Sequence, residues 1–150
     1  MHRLIASSPS VENEDKRVRL SNYDWMLEDE DGNRIDFNDF KGKKIVINFW
    51  ATWCPPCIAE MPSLQALYND YKDVAVFLFV TQDELATVSA FMKQRNLDLP
   101  VYSEITQRIP ELAGNSLPTT YIINEYQEVV ITKVGAADWN SEEVRNLLAE

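Results

Sequence analysis

The sequence predicts an α/β fold, a central mixed β-sheet flanked by helices, on three observations. Two short apolar runs, Ile45 to Trp50 and Val74 to Val80, are separated by a helical pattern from Pro56 to about Tyr71, which is the order of a βαβ unit. Two further runs, Thr120 to Asn124 and Glu128 to Val134, flank a turn at Glu125-Tyr126 and predict an antiparallel hairpin. The chain has 150 residues, of which 45% are hydrophobic and 25% charged, enough for one domain with a sizeable core.

Taken in order, residues 1–17 read as a flexible N-terminal arm and residues 18–150 as the folded domain. The arm carries Ser7, Ser8, Pro9 and Ser10 without a hydrophobic period, so little apolar surface is available to order it. Its start, Met1 to Ser8, is too short in its apolar part for a complete secretion signal and fits the remainder of a leader or an expression start. Val18 to Met26 and Arg34 to Phe37 read as strands joined by the acidic turn Glu28 to Asn33, an added N-terminal β-hairpin. Ile45 to Trp50 is apolar at every position but Asn48, which fits a central strand covered by helices. The helix that follows carries Met61, Leu64, Leu67, Tyr68 and Tyr71 at helical spacing, with Pro62 expected to kink it. Val74 to Val80 returns as a parallel strand through a right-handed crossover. Thr81 to Glu84 caps a helix to about Arg95, Asp98 to Tyr102 is extended, Ile105 to Ala113 reads as a short helix, and Ser141 opens the last one.

The chemistry concentrates at Trp53-Cys54-Pro55-Pro56-Cys57, which holds the only two cysteines. Two thiols separated by two residues at a strand-to-helix junction close a short disulfide ring reversibly, and the thiolate is the attacking species. The unpaired amides and positive dipole end of the helix, typically about 0.3 to 1 kcal/mol, favour a thiolate at Cys54. Pro55 and Pro56 suit the first helical positions and withhold two donors from the Cys54 sulfur. Cys57, one turn further on, is the less exposed, resolving thiol. A structural zinc site would need four ligands where the chain offers two cysteines and His2, and covalent haem attachment would need a histidine where Ile58 stands, so no metal or cofactor is expected. A purely structural disulfide would staple only a tiny loop.

The net charge of −10, without a Lys/Arg cluster, argues against nucleic acid or an anionic membrane as partner. No apolar run reaches the ~20 residues that a membrane span requires.

With these motifs in order, the chain resembles the thioredoxin-fold superfamily, and within it the TlpA/ResA-like thiol-disulfide oxidoreductases. The resemblance rests on Gly42 to Trp50, Ala51 to Cys57, Pro62, Leu117-Pro118-Thr119-Thr120 and Lys133-Val134-Gly135-Ala136, and covers about Arg19 to the end. It implies that Pro118 is a cis-proline beside the dithiol, and that the Leu117 and Thr119 backbone pairs with an extended substrate segment. Trp53 is expected to shield the disulfide and contact partners, while Trp50 reads as core. Thioredoxins proper carry a buried Asp where Asn48 stands. ResA-like members bring a carboxylate from the start of the helix after the second central strand, a region matched by Asp83 and Glu84. Either could shuttle the Cys57 proton from a water-poor pocket, or merely cap the helix. Ala51, three residues before Cys54, replaces the threonine used by the peroxiredoxin branch.

The expected activity is reduction or exchange of protein disulfides, with Cys54 attacking and Cys57 resolving. Disulfide-bearing proteins are the expected substrates, an upstream thiol reductant the electron source, and a monomer the expected state. Resemblance points to a periplasmic or cell-envelope setting. The alternatives are a cytoplasmic thioredoxin-type reductant and a peptide-binding, chaperone-like module of the same fold.

Overall fold

Alternate side chains of two neighbouring strands point into two separate cores, and this arrangement positions everything else. The computed structural model describes residues 7–150. Strands β1 (Val18–Arg19), β2 (Met26–Glu28), β3 (Arg34–Asp36), β4 (Ile45–Phe49), β5 (Val76–Val80), β6 (Val101–Glu104), β7 (Thr119–Ile123) and β8 (Glu128–Val134) form one mixed sheet in the order β1-β8-β7-β4-β5-β6-β2-β3. The β4/β5 and β5/β6 pairs are parallel and the rest antiparallel. Helices α1 (Pro55–Tyr71), α2 (Leu85–Gln94) and α3 (Glu142–Ala149) complete the chain.

On one face Val46, Trp50, Phe77 and Phe79 meet Met61, Leu64 and Leu67 of α1, Val88, Phe91 and Met92 of α2, and Val144 and Leu148 of α3. On the other, Ile45, Ile47, Phe49, Leu78 and Val80 meet Leu20, Tyr23, Trp25, Leu27 and Phe37. The helices that were expected to cover the central strand therefore cover one face of it. The other face is closed by the Leu20 to Phe40 segment, whose rings stack and cross: Tyr23 on Phe37 at 4.9 Å, and Trp25 edge-on to Phe37 at 5.3 Å.

Three expected boundaries change. The strand read over Val18 to Met26 is divided: β1 pairs with β8 at one end of the sheet, while the hairpin is β2 with β3 at the other, turning through Asp29 to Asn33. Asp29 accepts the Asp31 and Asn33 amides and Gly32 takes φ +83°, a left-handed value that favours glycine. The helix expected over Ile105 to Ala113 is a loop with one 3₁₀ turn, Pro110–Leu112. Pro110 has no amide hydrogen to continue a helix, and Ile109 before it is extended. The crossover helix begins at Pro55, one residue earlier than expected, and runs on through Pro62.

Of the arm, residues 1–6 lie outside the described residues. Between Ser7 and Arg17 the chain is held at a few points and otherwise mostly exposed: the Glu12 amide donates to the Val130 carbonyl, the Asp138 amide to the Ser7 carbonyl, and Pro9 is buried. Among the described residues no helix is long and apolar enough to cross a membrane.

Candidate redox site

β4 ends at Phe49 and the chain turns through Ala51 and Thr52 into α1, so the cysteines stand at the carboxyl end of the central strand. Such ends are where open α/β sheets place ligands. Cys54 is the N-cap of α1 and its sulfur accepts the Cys57 amide at 3.3 Å. Pro55 and Pro56 occupy the first two helical positions, exposed, and supply no competing donor. Cys54 and Cys57 are joined as a disulfide with Cα atoms 5.3 Å apart; Cys57 is fully buried and Cys54 nearly so. Beside them Trp53 is 71% exposed, whereas Trp50 is buried against Phe91.

The Leu117–Pro118 peptide bond is cis. The register of Phe49 opposite Thr119 places Pro118 beyond the end of β4, at the same end of the sheet as the disulfide. The Pro118 carbonyl accepts the Gly135 amide at 2.8 Å, and the Thr119 hydroxyl donates to the Ser116 carbonyl at 2.6 Å. Thr119 has strands on both sides, Phe49 and Val134 being its partners. Leu117 lies outside the ladder, and neither its N–H nor its C=O has a backbone partner among the described residues.

Trp53, Ala51, Gln82, Asp83, Arg108 and Leu117 line a groove of about 440 Å³. The Arg108 guanidinium lies 3.9 Å over the Phe49 ring, pairs with Glu104 at 2.9 Å and donates to the Gly114 carbonyl. The two carboxylates singled out in the sequence part company here. Asp83 accepts the Thr52 amide at 2.7 Å and so ties the start of α2 to the turn before Cys54. Glu84 occupies the N-cap position of α2, exposed, with no side-chain bond to the helix. Neither caps the helix through its side chain.

The buried carboxylate of this site is Glu60, three residues beyond Cys57 on the inward face of α1. Its Oε1 accepts Trp139 Nε1–H at 2.8 Å and the Ala137 amide at 3.3 Å, and its Oε2 accepts Asn48 Nδ2–H at 3.0 Å. Burial raises the Glu60 carboxyl from 4.5 to about 7, against these hydrogen bonds and the Lys133 charge, which pull it down. The apolar stripe of α1 masks Glu60 in the sequence. The available signal was a carboxylate in register with that stripe, three residues from Cys57 and four from Leu64. Among the described residues no group of three or more His, Cys, Asp and Glu could hold a metal ion.

The Redoxin family model matches residues 8–149. The chain is 36% identical over 115 residues to the thiol-disulfide oxidoreductase ResA of Halalkalibacterium halodurans, an alignment covering 74% of this chain and 65% of that protein's length. It is 35% identical over 139 residues to the ResA of Oceanobacillus iheyensis, covering 84% of this chain and 71% of that one. Among solved structures, StoA from Bacillus subtilis superposes with a TM-score of 0.65 at 26% identity, covering 83% of this chain and 95% of that one. With the disulfide at the head of α1, the cis bond before Pro118 and matches of this length, the chain belongs to the Redoxin family, among its ResA-like members.

Proposed function

We propose that this protein is a thiol-disulfide oxidoreductase that reduces or exchanges disulfides in other proteins. The observation that carries the reading is the Cys54–Cys57 bond at the head of α1, with Cys57 sealed beneath and the open Trp53/Leu117 groove alongside. In the reduced form, the Cys54 thiolate attacks one sulfur of a partner disulfide. A Cys54–partner disulfide forms and the other partner sulfur leaves as a thiolate that takes up a proton. Cys57 then gives its proton to Glu60, and its thiolate attacks Cys54. The intramolecular disulfide forms, the partner leaves with both sulfurs reduced, and two electrons have passed to it.

Glu60 suits the acceptor role because it is buried one helical turn from Cys57 and its carboxyl is raised to about 7, so that near neutral pH it exchanges between the carboxylate that takes the proton and the acid that gives it up. Asp83 has a different part in this reading: it fixes the turn that aims Cys54. Exposed Glu84 takes no proton from a buried thiol. Trp53 and the free Leu117 backbone hold an extended partner segment against the sulfurs. Pro118 and Thr119 set the wall behind it.

We further propose a cell-envelope setting, with the polar arm as the remnant of a tether, a monomeric state, and an upstream dithiol that returns the Cys54–Cys57 pair to its reduced form. Fractionation and sedimentation read the first and second of these. The activity is tested by insulin reduction and by trapping. Cys57→Ser accumulates covalent partner complexes on Cys54 and Cys54→Ser does not; equal trapping by both variants would refute the division of roles.

A further inference from the structure

Asn48 sits at the centre of β4, fully buried, opposite Thr120 of β7 and facing Glu60 of α1. Its Nδ2 donates both hydrogens, to Glu60 Oε2 at 3.0 Å and to Thr120 Oγ1 at 2.8 Å, while its Oδ1 has no partner. A buried carbonyl oxygen left without a donor is costly, so its retention calls for a reason.

That reason lies in what a protonated Glu60 would require. Oε1 already accepts two N–H groups, from Trp139 and Ala137, so the proton belongs on Oε2. There an O–H would face the Asn48 N–H, donor against donor. Half a turn of the amide about its last bond puts Oδ1 in the place of Nδ2. Oδ1 then accepts from Glu60 Oε2–H and from the Thr120 hydroxyl, which changes from acceptor to donor as a hydroxyl can. The Nδ2 hydrogens move to the spot where Oδ1 has no partner now. Each arrangement thus leaves part of the amide unmatched, the oxygen in one and the amide hydrogens in the other.

We propose that Asn48 is a positioning residue whose side-chain amide turns over with the charge of Glu60, donating to the carboxylate and accepting from the acid. The proposal rests on the reading of Glu60 as acceptor of the Cys57 proton. It explains why neither an aspartate nor an apolar residue would serve at this position. Aspartate would set a second buried carboxyl against the first, and leucine would offer nothing to either form. The other charged group that bears on Glu60 is Lys133 from β8; Cys57, one turn away on its own helix, is held in the disulfide. Trp139, Ala137 and Thr120 present only neutral donors or a hydroxyl.

The test is an NMR titration of the oxidised full chain from pH 5 to pH 9. The Asn48 amide hydrogens should show contacts to the Thr120 side chain at high pH and lose them at low pH, with the midpoint of the Glu60 carboxyl carbon, near 7. In Glu60→Gln, which cannot ionise, the contacts should no longer depend on pH. Contacts that persist across the whole range in the wild type would overturn the proposal. Failure of the underlying reading shows elsewhere. With a thionitrobenzoate mixed disulfide on Cys54, the second thionitrobenzoate is released only as Cys57 resolves it. Glu60→Gln releasing it at the wild-type rate would remove Glu60 from proton transfer, whatever the amide does.

Discussion

At the scale of single residues, Glu60 links stability to pH in a direction opposite to most carboxylates. Below its unfolded value of about 4.5 both folded and unfolded chains carry the proton, and burial of the acid costs no ionisation energy. Between there and about 7 the folded chain keeps a proton that the unfolded chain has released, so stability falls as pH rises. Above that range the full cost stands, about 3 kcal/mol for a displacement of this size. Urea unfolding of the oxidised protein should therefore lose about 3 kcal/mol between pH 4.5 and pH 8, and Glu60→Gln should flatten that slope; an equal slope in both would remove Glu60 as its source. The same substitution should slow resolution of a mixed disulfide by ~10² or more, the usual contribution of a positioned acid or base. Trp50 and Trp53 separate packing from contact in a similar way. Trp50→Ala empties a buried site and should cost about 3 to 5 kcal/mol. Trp53→Ala, at a 71% exposed position, should leave the melting temperature nearly unmoved and instead lower the rate with protein disulfides relative to small ones.

At the scale of elements, legibility followed how locally each one is determined. β4, α1 and β5 could be read because an apolar strand, a proline-headed helix and a second apolar strand each carry their own period. The β7–β8 hairpin was equally plain, with Gln127 taking φ 69° in its turn. The loop after β6 misled because Ile109 and Leu112, three apart, mimic a helical stripe; they are buried, but around a proline that stops the helix. At the site, the cysteines, Trp53 and Pro118 were visible as motif, whereas the roles of Asp83 and Glu60 depend on which strand each one faces. Asp83 was expected at the head of its own helix and is spent on the neighbouring turn. Asp83→Ala frees the Thr52 amide next to an open groove where water can reach it. The expected cost is therefore at the low end for a bond to a charged acceptor, about 1 kcal/mol by thermal unfolding. Because that bond fixes the turn before Cys54, the attack rate on a small disulfide should fall more than the stability does; a loss confined to stability would make Asp83 a structural residue only.

At the scale of the whole molecule, the part least visible in the sequence is the closure of the second face of the sheet. The strand patterns over Val18 to Met26 and Arg34 to Phe37 mark a hairpin but not a cover for the sheet, since Tyr23, Trp25 and Phe37 are placed by tertiary contact rather than by repeat. Trp25 is the centre of that cover: fully buried, it meets Phe37 and Phe49 and donates its indole N–H to Glu104 at 3.0 Å. Glu104 in turn holds Arg108, whose guanidinium lies over Phe49 and lines the groove beside the disulfide. The cover and the groove are therefore packed together, through the Trp25 indole, the Phe49 ring that it meets, and the Glu104–Arg108 ion pair. Trp25→Phe keeps most of the buried ring but leaves Glu104 without that donor, and should cost about 1 to 3 kcal/mol. If that packing is continuous, the variant should also raise KM for protein disulfides through Arg108 while leaving exchange with dithiothreitol unchanged. Arg108→Lys, which loses the planar fork but keeps the charge, should show the same selective rise at smaller cost in stability. Should both variants lower stability and leave KM where it was, the second face would be a support for the sheet and nothing more, and partner contact would rest on Trp53 and Leu117 alone.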